Sequence, residues 1–514
     1  MRGLGPRASG ACPARIYAST AGAANPARRR PWSGAANAGI VGRLALSIEH
    51  RSIDWIPEHD RHGRIRDQVT FWFLGNFHFF TLSIGFVGPS LGLGFGYTTL
   101  AGALGILFGT VFVAFHASQG PELGLPQMIQ SRAQFGYRGV VLVLLATLVM
   151  FILFNVADLV LMAHGLAAML GWGSAPVILG ASAIAILIAV LGHDWLHRIF
   201  RWCFWICLPL YLAVSVAIAI GHVPAAHPPS GGFAWPAFIA QFAASAGYNL
   251  TYAPSISDYS RYLPRSTRPG RLIAAVFAGA TSSAIWLIAL GAWLATRLGA
   301  ADGLLALHDA GNALFTGFGV TLGLASVAAL VATMGLNAYS GMLTVVTAAN
   351  SLFGLRPSFR LRIGAILALA AAWSAVAFAL SMDAIGLLFA TLTVMFYLLV
   401  PWTAVNLTDY FFVRRGRYAI TDLFDPRGIY GAWGWRGLVP YIAGFAVTWP
   451  FFVLPGIYVG PAARALGGLD VGWLAGLLVS GGSYLWLSRS FDPATERAAI
   501  AASERVLARG GPTG

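Results

Sequence analysis

Apolar runs of about twenty residues recur along almost the whole chain, and no other feature restricts its folding as much. A helix needs roughly 20 residues to cross the hydrocarbon core of a bilayer. Marking such runs gives about twelve, near 70–94, 98–117, 139–168, 175–192, 200–221, 235–256, 272–296, 317–350, 363–380, 384–408, 438–460 and 471–488. Charged residues make up only 10% of the 514 positions, against about 25% in soluble domains. The expectation is an all-α integral membrane protein with twelve transmembrane helices in one domain over 67–490, a cytoplasmic N-terminal tail over 1–66 and a cytoplasmic C-terminal tail over 491–514.

The net charge of +14 reports topology. After the first run, alternate loops hold sixteen arginines (132, 138, 198, 201, 261, 265, 268, 271, 356, 360, 362, 414, 415, 417, 427 and 436), while the other set holds Arg297 and Arg464 alone. That asymmetry follows the positive-inside rule and places both termini in the cytoplasm, which agrees with an even number of spans in a plasma (inner) membrane. Binding of nucleic acid is an unnecessary reading of the charge.

All 33 basic residues are arginine. Without lysine there is no Walker A motif and no Schiff-base nucleophile, so no ATP-driven pumping is expected from this chain. Three cysteines make no disulfide framework; Cys203 and Cys207 fall inside an apolar run as packing residues. The first 48 residues are rich in Ala, Gly, Pro and Arg with no acidic residue. They lack the apolar core of a secretory signal and fit a disordered tail, or a start assigned too early, better than a transit peptide.

Two of the runs are interrupted by polar residues. In the sixth, "NLTYAPSISDYSRYLPRST" (249–267), Gly247 and Pro254 break a helix among Thr251, Ser255 and Ser257. In the first, "GNFHFFTLSIGFVGPSLGLG" (75–94), Gly85, Gly88 and Pro89 follow Asn76, His78, Thr81 and Ser83. Interrupted backbone survives at membrane depth only where it is buried in protein or lines a cavity. Paired interruptions five spans apart point to an inverted-repeat secondary transporter with its site near the midplane; two unrelated proline kinks are the plainer alternative.

The third run supplies an intramembrane carboxylate. In "MFILFNVADLVLMAHG" (150–165), Phe151, Asn155, Asp158 and Met162 share one helical face. An aromatic ring, an amide and a carboxylate in line suit a flat heterocycle. Asp158 can accept from a substrate amino group, bind a cation or carry a coupling proton; a structural hydrogen bond to another helix is the bland alternative. In the eighth run Asn337, Ser340 and Thr344 form a polar stripe, which suits interhelical contact and site lining equally. His78, His116 and His164 show no metal-like spacing, so no metal site and no cofactor is expected.

The segments "GLPQMIQSRAQFGYRG" (124–139), "SDYSRYLPRST" (257–267), "PWTAVNLTDYFFVRRGRY" (401–418) and "DLFDPRGIYGAWGWRGLVPYIAGF" (422–445) together resemble the nucleobase:cation symporter family of cytosine, purine, uracil, allantoin and hydantoin permeases, over roughly residues 50–490. The resemblance implies a leucine-transporter-like five-plus-five inverted repeat plus two C-terminal helices, importing a heterocycle with Na⁺ or H⁺ by alternating access. It implies no enzyme activity. It maps the family's stacking aromatic of the third span to Phe151 and the following amide to Asn155. At the sixth-span position where hydantoin-type members carry a second Trp stands Asn249, which tilts the expected substrate towards cytosine or a purine. Allantoin, uracil, a hydantoin, thiamine or a pyridoxine-like ring is the alternative. Sodium-driven members place a Ser/Thr pair ahead of an eighth-span Asn; here Gly335 and Leu336 precede Asn337, so H⁺ coupling is expected, with Asp158 as the titrating group. Asp258 and Arg261 are expected at the cytoplasmic mouth, as gate or anchor.

Overall fold

The computed structural model describes residues 52–228, 231–380, 384–454 and 456–509. Most of the expected N-terminal tail, residues 1–51, lies outside them. Eight helices among the described residues are long and apolar enough to cross a membrane, nine when a bent pair counts as one span. The pair is α1 (Ile65–Gly75) followed by α2 (Phe79–Ile84) and α3 (Val87–Ser90), bent by 55°. The second span is α4 (Phe95–Ala117), and three short helices follow it, α5 (Gln119–Leu123), α6 (Gln127–Gln130) and α7 (Arg132–Phe135). The third to fifth spans are α8 (Val141–Leu170), α9 (Ser174–Leu191) and α10 (His193–Ala219).

The sixth span is again broken, into α11 (Trp235–Leu250) and α12 (Ile256–Ser260). Next come α13 (Pro269–Arg297), the short α14 (Gly303–Asn312), α15 (Phe318–Phe353), α16 (Phe359–Ala379) and α17 (Ala384–Thr408). The last spans are α18 (Trp435–Thr448) and α20 (Gly472–Ser488), separated by a hairpin of β1 (Val453–Leu454) and β2 (Tyr458–Val459) and by α19 (Pro461–Ala465). Three of the twelve expected spans are therefore shorter than a full crossing: α11, α18 and α20 have 16, 14 and 17 residues.

Which face each helix turns outward follows its side chains. On α4, Leu100, Leu104, Leu107, Val111 and Phe115 are exposed at a helical spacing, a stripe that suits lipid. The opposite face carries Gly102, Gly105 and Gly109, where a Cβ on Gly105 or Gly109 would lie 2.3 Å from a carbonyl oxygen of α11. Small residues let these backbones approach closely, so α4 beds against α11 and α13. In the other half of the protein α15 is the hub, packed on by α8, α9, α10 and α16.

The first break is placed differently from its expected residues, the second only in part. The first span bends at 76–78, ahead of Gly85, Gly88 and Pro89. Gly85 marks a lesser interruption between α2 and α3, and its glycine is needed for packing: a Cβ there would lie 2.3 Å from Ile288 O, and one on Gly291 only 1.9 Å from Leu82 O. Gly88 abuts the Thr98 side chain in the same way, and Pro89 sits inside α3. In the sixth span the turn is 251–255, and Pro254 lies in it. Gly247 is helical, and a Cβ there would lie 2.9 Å from Leu392 O of α17.

Freed backbone groups at the breaks find partners, as they must in a low-dielectric setting. Gly75 O accepts from the Tyr252 hydroxyl and faces His78 Nε2 at 3.0 Å. Phe79 N donates to Ser326 Oγ of α15 at 2.9 Å. Thr251 and Ser255 hydroxyls donate to the carbonyls of Tyr248 and Tyr252. One break thus closes on the other.

The arginine-rich end is covered from both directions. Residues 52–64, expected as tail, are packed: Ile53 and Ile56 are buried, and buried Arg61 donates to Ile56 O at 3.0 Å and Pro121 O at 2.5 Å. In the expected C-terminal tail a 3-10 turn over Pro493–Glu496 leads into α21 (Arg497–Ala508), and Ser503 Oγ accepts from Thr421 N at 3.1 Å. Buried arginines need such carbonyl partners, as Arg61 has here.

Candidate functional site

A small cavity lies where the two broken spans meet α8 and α15. Its walls are His78 and Phe80 from the first span, Met150, Phe154 and Asp158 from α8, Tyr248, Thr251 and Tyr252 from the sixth, and Thr333 and Asn337 from α15. Its water-accessible volume of ≈ 10 Å³ is about one water's room. No nucleobase-sized ligand fits until the walls part.

Phe80, Phe154, Tyr248 and Tyr252 all turn aromatic rings to it. Phe80 and Tyr248 stack at 5.6 Å and 24°, Phe80 and Phe154 stand 5.7 Å apart at 31°, and Phe154 lies 6.5 Å from Tyr248. A flat molecule held between two rings needs them about 7–8 Å apart, twice the carbon contact distance. Phe80 and Tyr248 are closer than that and must therefore part to admit one. Asp158 is 2% exposed and its Oδ2 has no hydrogen-bond partner among the described residues. Beside it, Tyr248 and Thr81 hydroxyls share a hydrogen bond at 2.6 Å, and Tyr248 and Tyr252 hydroxyls stand 3.4 Å apart.

Of the four residues expected at the substrate, Asn337 is on the cavity wall and three are not. Phe151 is buried on the α15 side of α8, its ring 3.5 Å from where a Cβ on Gly341 would stand; Phe154 and Met150 occupy the cavity face instead. Asn155 is turned to α15, donating weakly to Met334 O at 3.4 Å and accepting from Asn337 Nδ2 at 3.0 Å. Asn337 both makes that bond and lines the cavity. Asn249 is not among the lining residues: its Oδ1 accepts from Asn76 Nδ2 at 3.0 Å and its Nδ2 donates to Thr110 Oγ1 at 2.5 Å, while Asn76 also donates to Ala280 O at 2.8 Å. This amide knot ties α1, α4, α11 and α13 together behind the site.

Asp258 and Arg261 belong to the arginine-rich end but are buried there, at 3% and 0% exposure. Asp258 Oδ1 accepts from Gln127 N at 3.1 Å, at the start of α6. Arg261 donates to Ser52 O at 2.7 Å and to the Tyr339 hydroxyl at 3.3 Å. Both anchor α12 to its neighbours.

A second buried network starts at the same place. Ser257 Oγ donates to Gln127 Oε1 at 2.6 Å, Gln127 Nε2 to Gln119 Oε1 at 2.9 Å and Gln119 Nε2 to Asn406 Oδ1 at 2.8 Å. Asn406 Nδ2 reaches Gln134 Oε1 at 3.3 Å, and Gln134 Nε2 donates to Asp409 at 2.5 Å. Asp409 also accepts from Arg414 at 2.7 Å, Tyr418 at 2.8 Å and Tyr484 at 2.7 Å, and Arg414 continues to Glu496 at 3.0 Å. Side chains alone thus link the sixth-span break to the C-terminal segment.

Sequence reasoning passed over Phe80, Phe154, Tyr248 and Tyr252. A signal was present for two of them: Tyr248 and Tyr252 are one turn apart and flank the polar break.

Comparison with known proteins agrees with this arrangement. A putative purine-cytosine permease of Bacillus subtilis is 32% identical over 437 residues, covering 84% of this chain and 94% of its own. A purine-cytosine permease of Saccharomyces cerevisiae is 24% identical over 274 residues, 52% of this chain and 50% of its own. Among solved structures, Mhp1, a nucleobase-cation-symport-1 family transporter in a closed conformation with bromovinylhydantoin bound, superposes with a TM-score of 0.69 at 18% identity over 89% of this chain and all of that one. The inward-facing conformation of Mhp1 gives 0.65 at 17% identity, over 89% and 99%. That likeness shows a shared fold, the leucine-transporter-like repeat with two added helices. The pattern of the permease family for cytosine/purines, uracil, thiamine and allantoin matches residues 55–476, and the chain, a multi-pass membrane protein, belongs to that family of permeases.

Proposed function

We propose that the chain is a secondary active importer, a cation symporter that carries a nucleobase such as cytosine or a purine across the plasma (inner) membrane by alternating access. The observation that carries this is the cavity between two broken helices, where Phe80, Phe154, Tyr248 and Tyr252 meet a buried carboxylate with one oxygen unpartnered among the described residues. A planar base presents two apolar faces and a polar edge, and needs both kinds of wall. Phe154, Phe80 and Tyr248 take the faces; Asp158, Thr251, Thr333 and Asn337 take the edge. The Bacillus and yeast relatives are named as purine-cytosine permeases, and they, rather than Asn249, now support a cytosine or purine substrate.

The arginine-rich end faces the cytoplasm in this reading, with both termini, supported by the sixteen-to-two distribution of loop arginines. Coupling is to H⁺, carried by Asp158. Gly335 and Leu336 bring no hydroxyl ahead of Asn337, and the Gly75 carbonyl at the first-span break is already occupied by Tyr252. The test is competition for binding to the purified protein among cytosine, adenine, hypoxanthine, uracil, allantoin, a hydantoin, thiamine and pyridoxine. Cytosine or a purine is expected to compete best. Binding of allantoin, the hydantoin or one of the vitamins in preference to every base would overturn the substrate assignment.

A further inference from the structure

At the arginine-rich end, away from the cavity, His62, His193 and Asp194 each bring a ligand atom within 4.8 Å of the others. They come from two distant pieces of chain: His62 lies just ahead of α1, and His193 and Asp194 open α10. Asp194 Oδ1 stands 3.3 Å from His62 Nε2 and 3.0 Å from His193 Nδ1. A tetrahedral ion with ligands at 2.0–2.1 Å holds neighbouring ligand atoms about 3.3 Å apart. Two edges of such a site are therefore near coordination length already.

The far nitrogen of each ring is turned to a backbone carbonyl, His62 Nδ1 to Asp60 O at 2.8 Å and His193 Nε2 to Tyr259 O at 3.4 Å. Metal-ligating histidines almost always make such a second contact, because it fixes which nitrogen faces the ion. The backbone is held as well, since the amides of His62 and Gly63 both donate to Tyr262 O, at 2.9 and 3.1 Å. The His62 and Asp194 side chains are about half exposed and that of His193 is 7% exposed, so one face of the cluster is open to water and the other is built into the protein. Ordinary His62–Asp194 and His193–Asp194 pairs would account for the contacts one at a time; a shared ion accounts for both rings converging on one carboxylate oxygen.

We infer that His62 Nε2, His193 Nδ1 and the Asp194 carboxylate form a binding site for a borderline divalent transition cation such as Zn²⁺, with a fourth position open to water. Two imidazoles and one carboxylate suit such an ion, whereas Mg²⁺ and Ca²⁺ take oxygen ligands. A bound ion ties the segment entering the first broken span to the start of α10. Tyr262 of the loop after α12 packs against both histidines, its ring 5.6 Å from His62 and 4.2 Å from His193. The ion is thus a clamp on the arginine-rich end, independent of what the cavity carries.

The test uses the full-length protein, freed of any affinity tag and stripped with a chelator, titrated with Zn²⁺ by calorimetry and with Co²⁺ by absorption. One equivalent per chain and a four-coordinate nitrogen/oxygen Co²⁺ spectrum are expected. Loss of a direct ligand in H62Q or D194N should weaken Zn²⁺ by more than the roughly 10–100-fold typical of losing a second-shell partner, with the chelator-treated Tm unchanged. H59A, altered at an exposed neighbour, should bind as wild type. Absence of Zn²⁺ binding by the wild type, or wild-type affinity in both H62Q and D194N, overturns the assignment.

Discussion

Replacing Phe154 by Leu separates the cavity reading from the one the sequence suggests. Phe154 faces Phe80 and Tyr248 across the cavity, while Phe151, one residue short of a full turn away, packs on α15 near Gly341. Stacking of a base on an aromatic side chain is worth about 1–3 kcal/mol, which is roughly a 5- to 140-fold change in Kd at 1.4 kcal/mol per decade. Phe154→Leu is therefore expected to raise the Kd for the best-competing base by a factor in that range while leaving the Tm of the unliganded protein within a few degrees. Phe151→Leu should do the reverse, costing about 1 kcal/mol of stability through lost packing and leaving Kd within about twofold. Calorimetric binding and thermal unfolding on the same two variants read both quantities. Wild-type affinity in Phe154→Leu combined with a tenfold or greater loss in Phe151→Leu would refute the placement of the substrate.

Asp158→Asn keeps the shape of the site but cannot cycle a proton, so it is expected to abolish concentrative uptake while preserving exchange across the membrane; full accumulation by this variant would sink the coupling role. In sealed vesicles at fixed pH, an imposed Na⁺ gradient should drive no uptake and an inward H⁺ gradient should; sodium-driven accumulation would return the ion site to α15 despite Gly335 and Leu336. Asn249→Ala strips partners from Asn76 and Thr110 and should cost about 1–3 kcal/mol, seen as a lower Tm, with Kd within twofold; a tenfold loss of affinity would put Asn249 back at the substrate. In Gly291→Ala the new Cβ would lie 1.9 Å from Leu82 O, and because the obstacle is backbone the expected cost is about 1–3 kcal/mol or more; an unchanged Tm would show that α2 and α13 can slide apart.

Much of the architecture was legible because lipid is an uncompromising solvent. Apolar run length set the spans without any help from packing. The existence of two breaks was readable too, from polar residues at membrane depth. Pro254 marked the position of one, but the glycines did not, since a glycine that relaxes the backbone and a glycine that lets two helices touch look identical in sequence; Gly85 and Gly247 are of the second kind. Of the expected site residues, Asp158 and Asn337 line the cavity and the others do not, for a related reason. At 100° per residue, Phe151 and Asn155 lie to one side of Asp158 and Phe154 and Met150 to the other, so periodicity gave a face without saying which flank of Asp158 meets the cavity. The tie that Asn249 makes between helices was not legible, because an amide in a broken span looks the same whether it reads a ligand or joins its neighbours. His62 and His193 lie too far apart in the chain for any spacing rule to pair them.

The side-chain relay from Ser257 to Glu496 has a practical consequence for anyone handling the protein. Removing the chain from Glu496 onward would leave Arg414, which also holds Asp409, as a guanidinium with half its counter-charge gone inside the protein. A purification tag or fluorescent fusion therefore belongs beyond Arg509, and a shortened version chosen for crystallisation should keep α21, because the tenth span draws part of its footing from residues that a hydropathy plot would have marked as expendable.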